Sequence, residues 1–146
     1  MKLWFNLLCR DIEAQFAFYR QLLDVPEAVK SRSPIYRAIE TEDFQFGFNA
    51  QAAYELLGIG DRKPEGDGGQ PTIAYATLML ADPAAVDAAC EAAQRLGGRV
   101  LKGPFATYYG QWQAVLADPE ANVFRVASHT LPVGITAPPL PVSNPG

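Results

Sequence analysis

The fold is decided by the stretch Leu3-Trp4-Phe5-Asn6-Leu7-Leu8-Cys9-Arg10-Asp11, an apolar strand followed by an aspartate that can cap a helix. Behind Asp11, the apolar residues of 12–23 recur at helical spacing, which predicts an amphipathic helix. The run 73–80 leads to Asp82 in the same way, and apolar residues again follow at helical spacing. Because the two caps lie 71 positions apart and open the same plan, we predict a duplicated module.

Three short strands are predicted after each helix. In the first half they are 28–31, 36–40 and 44–48, and in the second half 99–102, 111–116 and 123–128. The internal match continues through them, since 35–39 aligns with 111–115 and 44–46 with 124–126. Each half therefore reads as a βαβββ module, and the predicted fold class is α+β.

The predicted organisation has four segments. Residues 1–57 form the first module, 58–70 a glycine-rich linker, 71–130 the second module and 131–146 a proline-rich tail. The tail carries five prolines and is expected to be either disordered or laid as an extended arm over a neighbouring surface.

Composition restricts the class of protein. The net charge of −4, with scattered basic residues, argues against a nucleic-acid partner. The apolar runs are too short for a membrane helix, and no export signal precedes the first strand, so we expect a cytoplasmic protein. Cys9 and Cys90 lie on separate elements, which argues against a disulfide framework.

Two motifs make the chain similar to a known family. Residues 11–23 resemble the pattern D-x-E-x-x-x-x-F-Y-x-x-L-L, and Tyr109-Gly110 followed by 118–124 resembles an ending of the form Y-G … D-P-D-G-N. Together with the duplicated plan, they resemble the vicinal oxygen chelate superfamily, which contains glyoxalase I, extradiol dioxygenases and bleomycin-resistance proteins. The resemblance covers 3–129 and implies one glyoxalase-like domain, in which both modules form an open, cup-shaped mixed sheet with the helices outside.

Metal-dependent members of that family hold a divalent ion with four side chains. The corresponding positions here are Trp4, Gln45, Tyr75 and Arg125, with Gln45 placed by the internal alignment to Arg125. Divalent ions prefer imidazole and carboxylate ligands, and a guanidinium would repel the ion. We therefore predict that the usual metal site is absent and that no cofactor is bound.

The same positions suggest a binding pocket. Alternation along the strands predicts that the pocket is lined by aromatic residues with a few polar anchors, namely Trp4, Asn6, Gln45, Tyr75, Thr77, Tyr109, Trp112 and Arg125. Two alternatives stay open. The aromatic residues could simply fill a degenerate cup, and Arg125 could pair with an internal acid such as Glu40 instead of gripping a ligand carboxylate or phosphate.

Three functions follow from this interpretation. The leading hypothesis is a metal-free protein that binds a small organic molecule, with anionic or aromatic compounds as first candidates and no catalytic residue assigned. The alternative is a lyase, isomerase or dioxygenase whose metal is held by other acids, such as Glu40. A third is a structural subunit that binds a partner through its tail. The resemblance also implies a homodimer.

Overall fold

The computed structural model of the chain describes residues 1–66, 72 and 74–140. The chain divides into two compact units, which are described separately below. The first contains Met1–Pro71 with Pro119–Ala121, and the second contains Thr72–Asp118 with Asn122–Gly146. The end of the predicted linker, the first residue of the predicted strand 73–80 and the end of the predicted tail lie outside the described residues.

The first unit is a three-stranded sheet with a helix on one face. Its elements are β1 (Leu3–Leu8), α1 (Ile12–Leu23), β2 (Tyr36–Glu40), β3 (Phe44–Asn49) and the short α2 (Ala52–Leu56). The strand order is β1-β3-β2, with β1 parallel to β3 and β2 antiparallel to it. The predicted bounds of β1, α1 and β2 are confirmed.

Aromatic packing holds α1 against this sheet. The carboxylate of Asp11 accepts the backbone N–H of Ala14 at 3.0 Å, which confirms the predicted cap. The ring of Tyr19 lies 4.7 Å from that of Phe46 and 5.5 Å from that of Phe48, measured between centroids. These side chains are almost fully buried, so the predicted packing of the phenylalanine face on the helix is confirmed.

The predicted strand 28–31 is wrong. The chain makes a single β-bridge between Glu27 and Ile39 and then enters a 3₁₀ turn at Val29–Ser31. The cause is the carboxylate of Glu27, which binds the guanidinium of Arg32 five residues further on and that of Arg37 in β2 at 2.7 Å. These ion pairs favour a turn over an extended backbone. The first module has three strands and two isolated bridges, the second of which joins Ser33 to Tyr36.

The second unit is a four-stranded sheet with α3 on one face. Its elements are β4 (Ala76–Met79), α3 (Pro83–Arg95), β5 (Arg99–Ala106), β6 (Trp112–Ala117) and β7 (Val123–Ser128). The order is β4-β7-β6-β5, with β4 parallel to β7 and the other pairs antiparallel. The α+β class with two duplicated modules is therefore confirmed.

The start and the buried face of α3 match the sequence pattern. The carboxylate of Asp82 accepts the N–H of Ala85 at 2.8 Å, and proline occupies the first helical position. Val86 and Ala93 are fully buried on the helix stripe that faces the sheet. Among the described residues, no helix has the length and apolar character needed to cross a membrane.

The ion pairs of Glu27 give a testable acid dependence. The hydrogen bond from Arg32 is the largest influence that lowers the pKa of Glu27, from 4.5 to about 2, while burial opposes it and Arg37 adds to it. The folded-state pKa is depressed, so the stabilisation is present above about pH 4.5 and is lost as the pH falls toward 2. We expect Glu27→Gln to lower the free energy of unfolding at pH 7 by about 1–2 kcal/mol. The effect is limited because Arg32 is exposed and solvent screens its charge.

Urea denaturation at pH 7 and pH 3 measures both effects. Glu27→Gln should lose less stability than wild type on acidification, because its amide does not titrate in this range. The exposed Glu42 supplies the matched control, Glu42→Gln, which should follow wild type. An identical pH dependence in wild type and Glu27→Gln would contradict the assignment.

Candidate functional site

The face of the first sheet opposite the phenylalanines carries a polar network. In the register, Trp4 pairs with Gln45 and Gln45 with Glu40, so these side chains share one face. The hydroxyl of Tyr36 donates to Oε1 of Gln45 at 2.8 Å, and Nε2 of Gln45 donates to Glu40 at 3.2 Å. Lys2 completes the network with an ion pair to Glu40 at 2.7 Å.

The network contains Glu40, which the sequence suggested as an ion-pair partner of Arg125 or as a metal ligand. The ammonium of Lys2, followed by the amide of Gln45, lowers the pKa of Glu40. Burial, followed by the charge of Glu40, raises the pKa of Tyr36. Glu40 is therefore an ionised member of a hydrogen-bonded group within the first unit.

Gly47 makes room for the network. A Cβ atom at this position would lie 2.2 Å from the hydroxyl oxygen of Tyr36 and 2.3 Å from Oδ1 of Asn6. The ring of Tyr36 can therefore cross β3 only because residue 47 has no side chain. Among the predicted binding residues of this unit, Gln45 is buried in the network, Asn6 lies at its edge and Trp4 is 56% exposed.

On the face opposite α3, the second sheet carries a cluster of side chains around a single arginine, Arg125. The cluster consists of Tyr75, Thr77, Tyr109 and Arg125. Thr77 pairs with Arg125 in the β4–β7 register, and Nε of Arg125 donates to Oγ1 of Thr77 at 3.1 Å. Nη1 donates to the hydroxyl of Tyr109 at 3.2 Å, and the Tyr75 ring centroid lies 5.3 Å from Cζ. The structure thus brings together four predicted residues: Tyr75, Thr77, Tyr109 and Arg125.

The partners of Arg125 in this cluster are neutral. Arg125 is partly buried, and no carboxylate among the described residues of the second unit lies within ion-pair distance of it. The alternative prediction was that Arg125 pairs with an internal acid, and the described part of the second unit contains no such partner. A guanidinium keeps its proton under all ordinary conditions, so the cluster carries a full positive charge.

A tight turn positions Tyr109. The backbone N–H groups of Thr107 and Gly110 donate to Gln111 and Thr107, at 2.9 and 3.1 Å, and Gly110 has a φ of 83°. The side chain of Thr107 is buried and accepts the N–H of Gln111 at 2.9 Å. The turn directs the Tyr109 hydroxyl to Oε1 of Gln113, to which it donates at 2.9 Å.

Trp112 does not belong to this face, contrary to the prediction. Val115 pairs with Arg125, so Trp112, three residues away on β6, points to the helix side. Its indole N–H donates to Asp87 of α3 at 2.8 Å. Gln113 takes the predicted place of Trp112 and is buried. The signal in the sequence was a glutamine within an otherwise apolar strand.

The sheet registers also correct the internal alignment. Each cap follows its strand by three residues, and the strand ends pair as Leu8 with Asn49 and Met79 with Ala127. Counting back two residues from Asn49 and Ala127 makes Gly47 the counterpart of Arg125, where the sequence alignment had placed Gln45. The same position of the module is therefore a glycine, Gly47, in the first copy and an arginine, Arg125, in the second.

The residues at the family's metal positions do not fit a divalent cation. Trp4, Tyr75 and Arg125 offer an indole, a phenol and a guanidinium, of which the last would repel the ion. At the fourth position, the register places Gly47, which has no side chain, where the sequence alignment had placed the amide of Gln45. Within 1–66, 72 and 74–140, no group of three or more His, Cys, Asp or Glu side chains is arranged to hold a metal.

Gly47 can be tested by adding one methyl group. We expect Gly47→Ala to destabilise the protein by about 1–3 kcal/mol, because the Cβ would displace Tyr36 and Asn6. In a Tyr36→Ala background the same change should cost less, as urea denaturation of the double-mutant cycle would show. Strictly additive costs would contradict the steric explanation.

Known proteins place the chain in a family. Residues 3–126 match the model of the Glyoxalase/Bleomycin resistance protein/Dioxygenase superfamily. A glyoxalase/bleomycin resistance protein/dioxygenase family enzyme from Burkholderia phytofirmans PsJN is 36% identical, with a TM-score of 0.78 over 86% of this chain and 95% of that chain.

Other solved structures share the fold at lower identity. A glyoxalase-related enzyme from Fulvimarina pelagi is 19% identical with a TM-score of 0.72, covering 88% of this chain and 87% of that one. The hypothetical protein SA1046 from S. aureus is also 19% identical, with a TM-score of 0.70 over 88% of this chain and 93% of that one. No curated protein matches. The family model and the first of these structures show that the chain belongs to the Glyoxalase/Bleomycin resistance protein/Dioxygenase superfamily.

Proposed function

We propose that the chain is a metal-free small-molecule-binding protein of the glyoxalase/bleomycin-resistance type, with Arg125 as its main polar anchor. The supporting observation is the guanidinium of the partly buried Arg125, which is held by two hydroxyls and has no carboxylate partner among the described residues of its unit. Charged groups taken out of water are generally paired. A bound ligand is the partner that we propose for this charge.

The chemistry of the cluster favours binding over catalysis. A guanidinium can hold an anion, but it cannot act as a general base. The hydroxyls of Thr77 and Tyr109 are engaged in orienting the guanidinium. The family's metal positions carry residue types that do not bind divalent ions, so no metal-dependent step is assigned. The contributions of Trp4, Asn6 and Gln45 to binding stay predictions.

A broad thermal-shift screen followed by calorimetry tests the binding proposal. We expect ligands whose affinity falls about tenfold or more in Arg125→Gln, as for loss of a charge-assisted hydrogen bond. Arg99→Gln is the matched control, because it removes the same charge from an exposed position on β5. Hits that bind Arg125→Gln and Arg99→Gln as tightly as wild type would contradict the assignment.

Elemental analysis of protein purified without a histidine tag tests the metal-free part. The residue types at Trp4, Tyr75 and Arg125, together with the side-chain-free Gly47, lead us to expect only substoichiometric metal. Stoichiometric zinc, nickel, manganese or iron would contradict the proposal and would favour the metal-dependent alternative.

We further propose that the chain works in the cytoplasm as a homodimer. β1 is an edge strand of its sheet, and Leu3 and Trp4 on it are 64% and 56% exposed, a combination that favours association. Cys9 and Cys90 are free thiols, which suits a reducing compartment. Light scattering coupled to gel filtration should give twice the chain mass, and a monomer at all concentrations would contradict this.

A further inference from the structure

We infer that the ligand at Arg125 is a monoanionic carboxylate carried by a flat apolar group. This inference rests on the binding function proposed above and names the class of ligand. It is carried by three observations on the second sheet: the donors that Arg125 leaves unused, the single cation in the cluster, and the exposed tyrosine rings beside it.

The unused donors of Arg125 match a carboxylate. A guanidinium has five N–H groups in one plane. One on Nε binds Thr77 and one on Nη1 binds Tyr109, which leaves three without a partner among the described residues, including both on Nη2. Two parallel N–H groups at the end of the guanidinium are complementary to the two oxygens of a carboxylate. Because Thr77 and Tyr109 hold the other donors, this end is oriented before a ligand arrives.

The charge of the cluster favours a monoanion. The next cation on this face is Lys102, which pairs with Val115, which in turn pairs with Arg125. Lys102 is therefore two strands from Arg125, about 10 Å away in the sheet. Its ammonium lies 4.1 Å from the centroid of the Phe105 ring. A phosphate dianion would call for a second cation or a group of backbone N–H donors next to Arg125, whereas one guanidinium balances one carboxylate.

The surroundings of Arg125 favour a flat apolar body for the ligand. Tyr75 and Tyr109, which both contact Arg125, are 54% and 47% exposed. Tyr108 is 50% exposed and packs edge-on against Tyr109, with 4.9 Å between the ring centroids. Aromatic rings that are exposed to water beside a guanidinium are stabilised when a planar ring of a ligand covers them.

Tyr109 acts as a positioning residue in this account. Its hydroxyl accepts from Nη1 of Arg125 and donates to Gln113, so it links the arginine to a nearly buried amide. Tyr109→Phe keeps the ring and removes this link. The guanidinium then gains rotational freedom, and carboxylate affinity should fall while affinity for a neutral ring should not.

Calorimetry with matched probes tests the ligand class. The probes are 2-naphthoate, 2-naphthamide, 2-naphthyl phosphate and hexanoate, each titrated into the full chain. We expect 2-naphthoate to bind tightest. Its affinity should fall about tenfold to a hundredfold in Arg125→Gln and about threefold to tenfold in Arg125→Lys, which keeps the charge but not the planar fork. Tyr109→Phe should lose about threefold to tenfold for 2-naphthoate and nothing for 2-naphthamide.

Lys102→Gln and Arg99→Gln are the charge-matched controls and should bind 2-naphthoate as wild type does. Equal binding of 2-naphthamide and 2-naphthoate overturns the carboxylate. Tighter binding of 2-naphthyl phosphate that depends on Lys102 overturns the monoanion, and tighter binding of hexanoate overturns the flat body. If 2-naphthoate fails to bind while the broad screen yields Arg125-dependent ligands of another class, the inference fails and the proposed function stands. If no compound in either experiment depends on Arg125, both fail.

Discussion

Burial of one face of each sheet against a helix is the constraint on which the rest of the structure depends. Tyr19 of α1 packs on Phe46 and Phe48, and α3 buries Val86 and Ala93 toward its own sheet. Since side chains alternate along a strand, every residue that is not needed for these cores is directed to the other face. The polar and charged groups available for binding are therefore collected on one side of each sheet by the same packing that stabilises it.

The two copies of the module use that free face differently. In the first unit, Gly47 leaves a gap that the ring of Tyr36 fills, and its hydrogen bonds end in an ion pair between Glu40 and Lys2. The first network is balanced in charge. In the second unit, the counterpart of Gly47 is Arg125, whose partners are neutral hydroxyls. The two copies of the module thus differ at one equivalent position. The face around Gly47 has paired charges, whereas Arg125 gives the other face a positive charge whose partners are neutral.

The sequence predicted periodic elements well because their signals are local. The Asp11 and Asp82 caps and the apolar stripes behind them need only neighbouring residues to be recognised, and both helices begin where predicted. The strand 28–31 failed because Glu27 pairs with Arg32 and Arg37, a tertiary ion-pair cluster that no local pattern reveals. β5 also runs beyond its predicted end at 102, through register shifts that strand propensity does not encode.

Site residues were harder to predict, because the register of each strand decides on which face of the sheet a side chain lies. A shift of one residue in the alignment of β6 was enough to exchange Trp112 for Gln113 at the site. A shift of two residues kept Arg125 on the correct face and changed only its counterpart. Arg125 and Thr77 therefore lie on one face of the sheet, as the sequence predicts, whereas the contact of Tyr109 with Gln113 required the geometry of its turn.

The position of Trp112 on the helix side has a practical consequence. The chain has two tryptophans, and Trp4 lies in the first unit while Trp112 lies in the second. Trp4 is 56% exposed, whereas the indole of Trp112 is partly buried and bonded to Asp87. Each unit therefore carries one intrinsic fluorophore in a different environment. Replacing either by phenylalanine would leave an emission signal that reports the unfolding of one unit alone, so the cooperativity between the two halves can be measured without any added label.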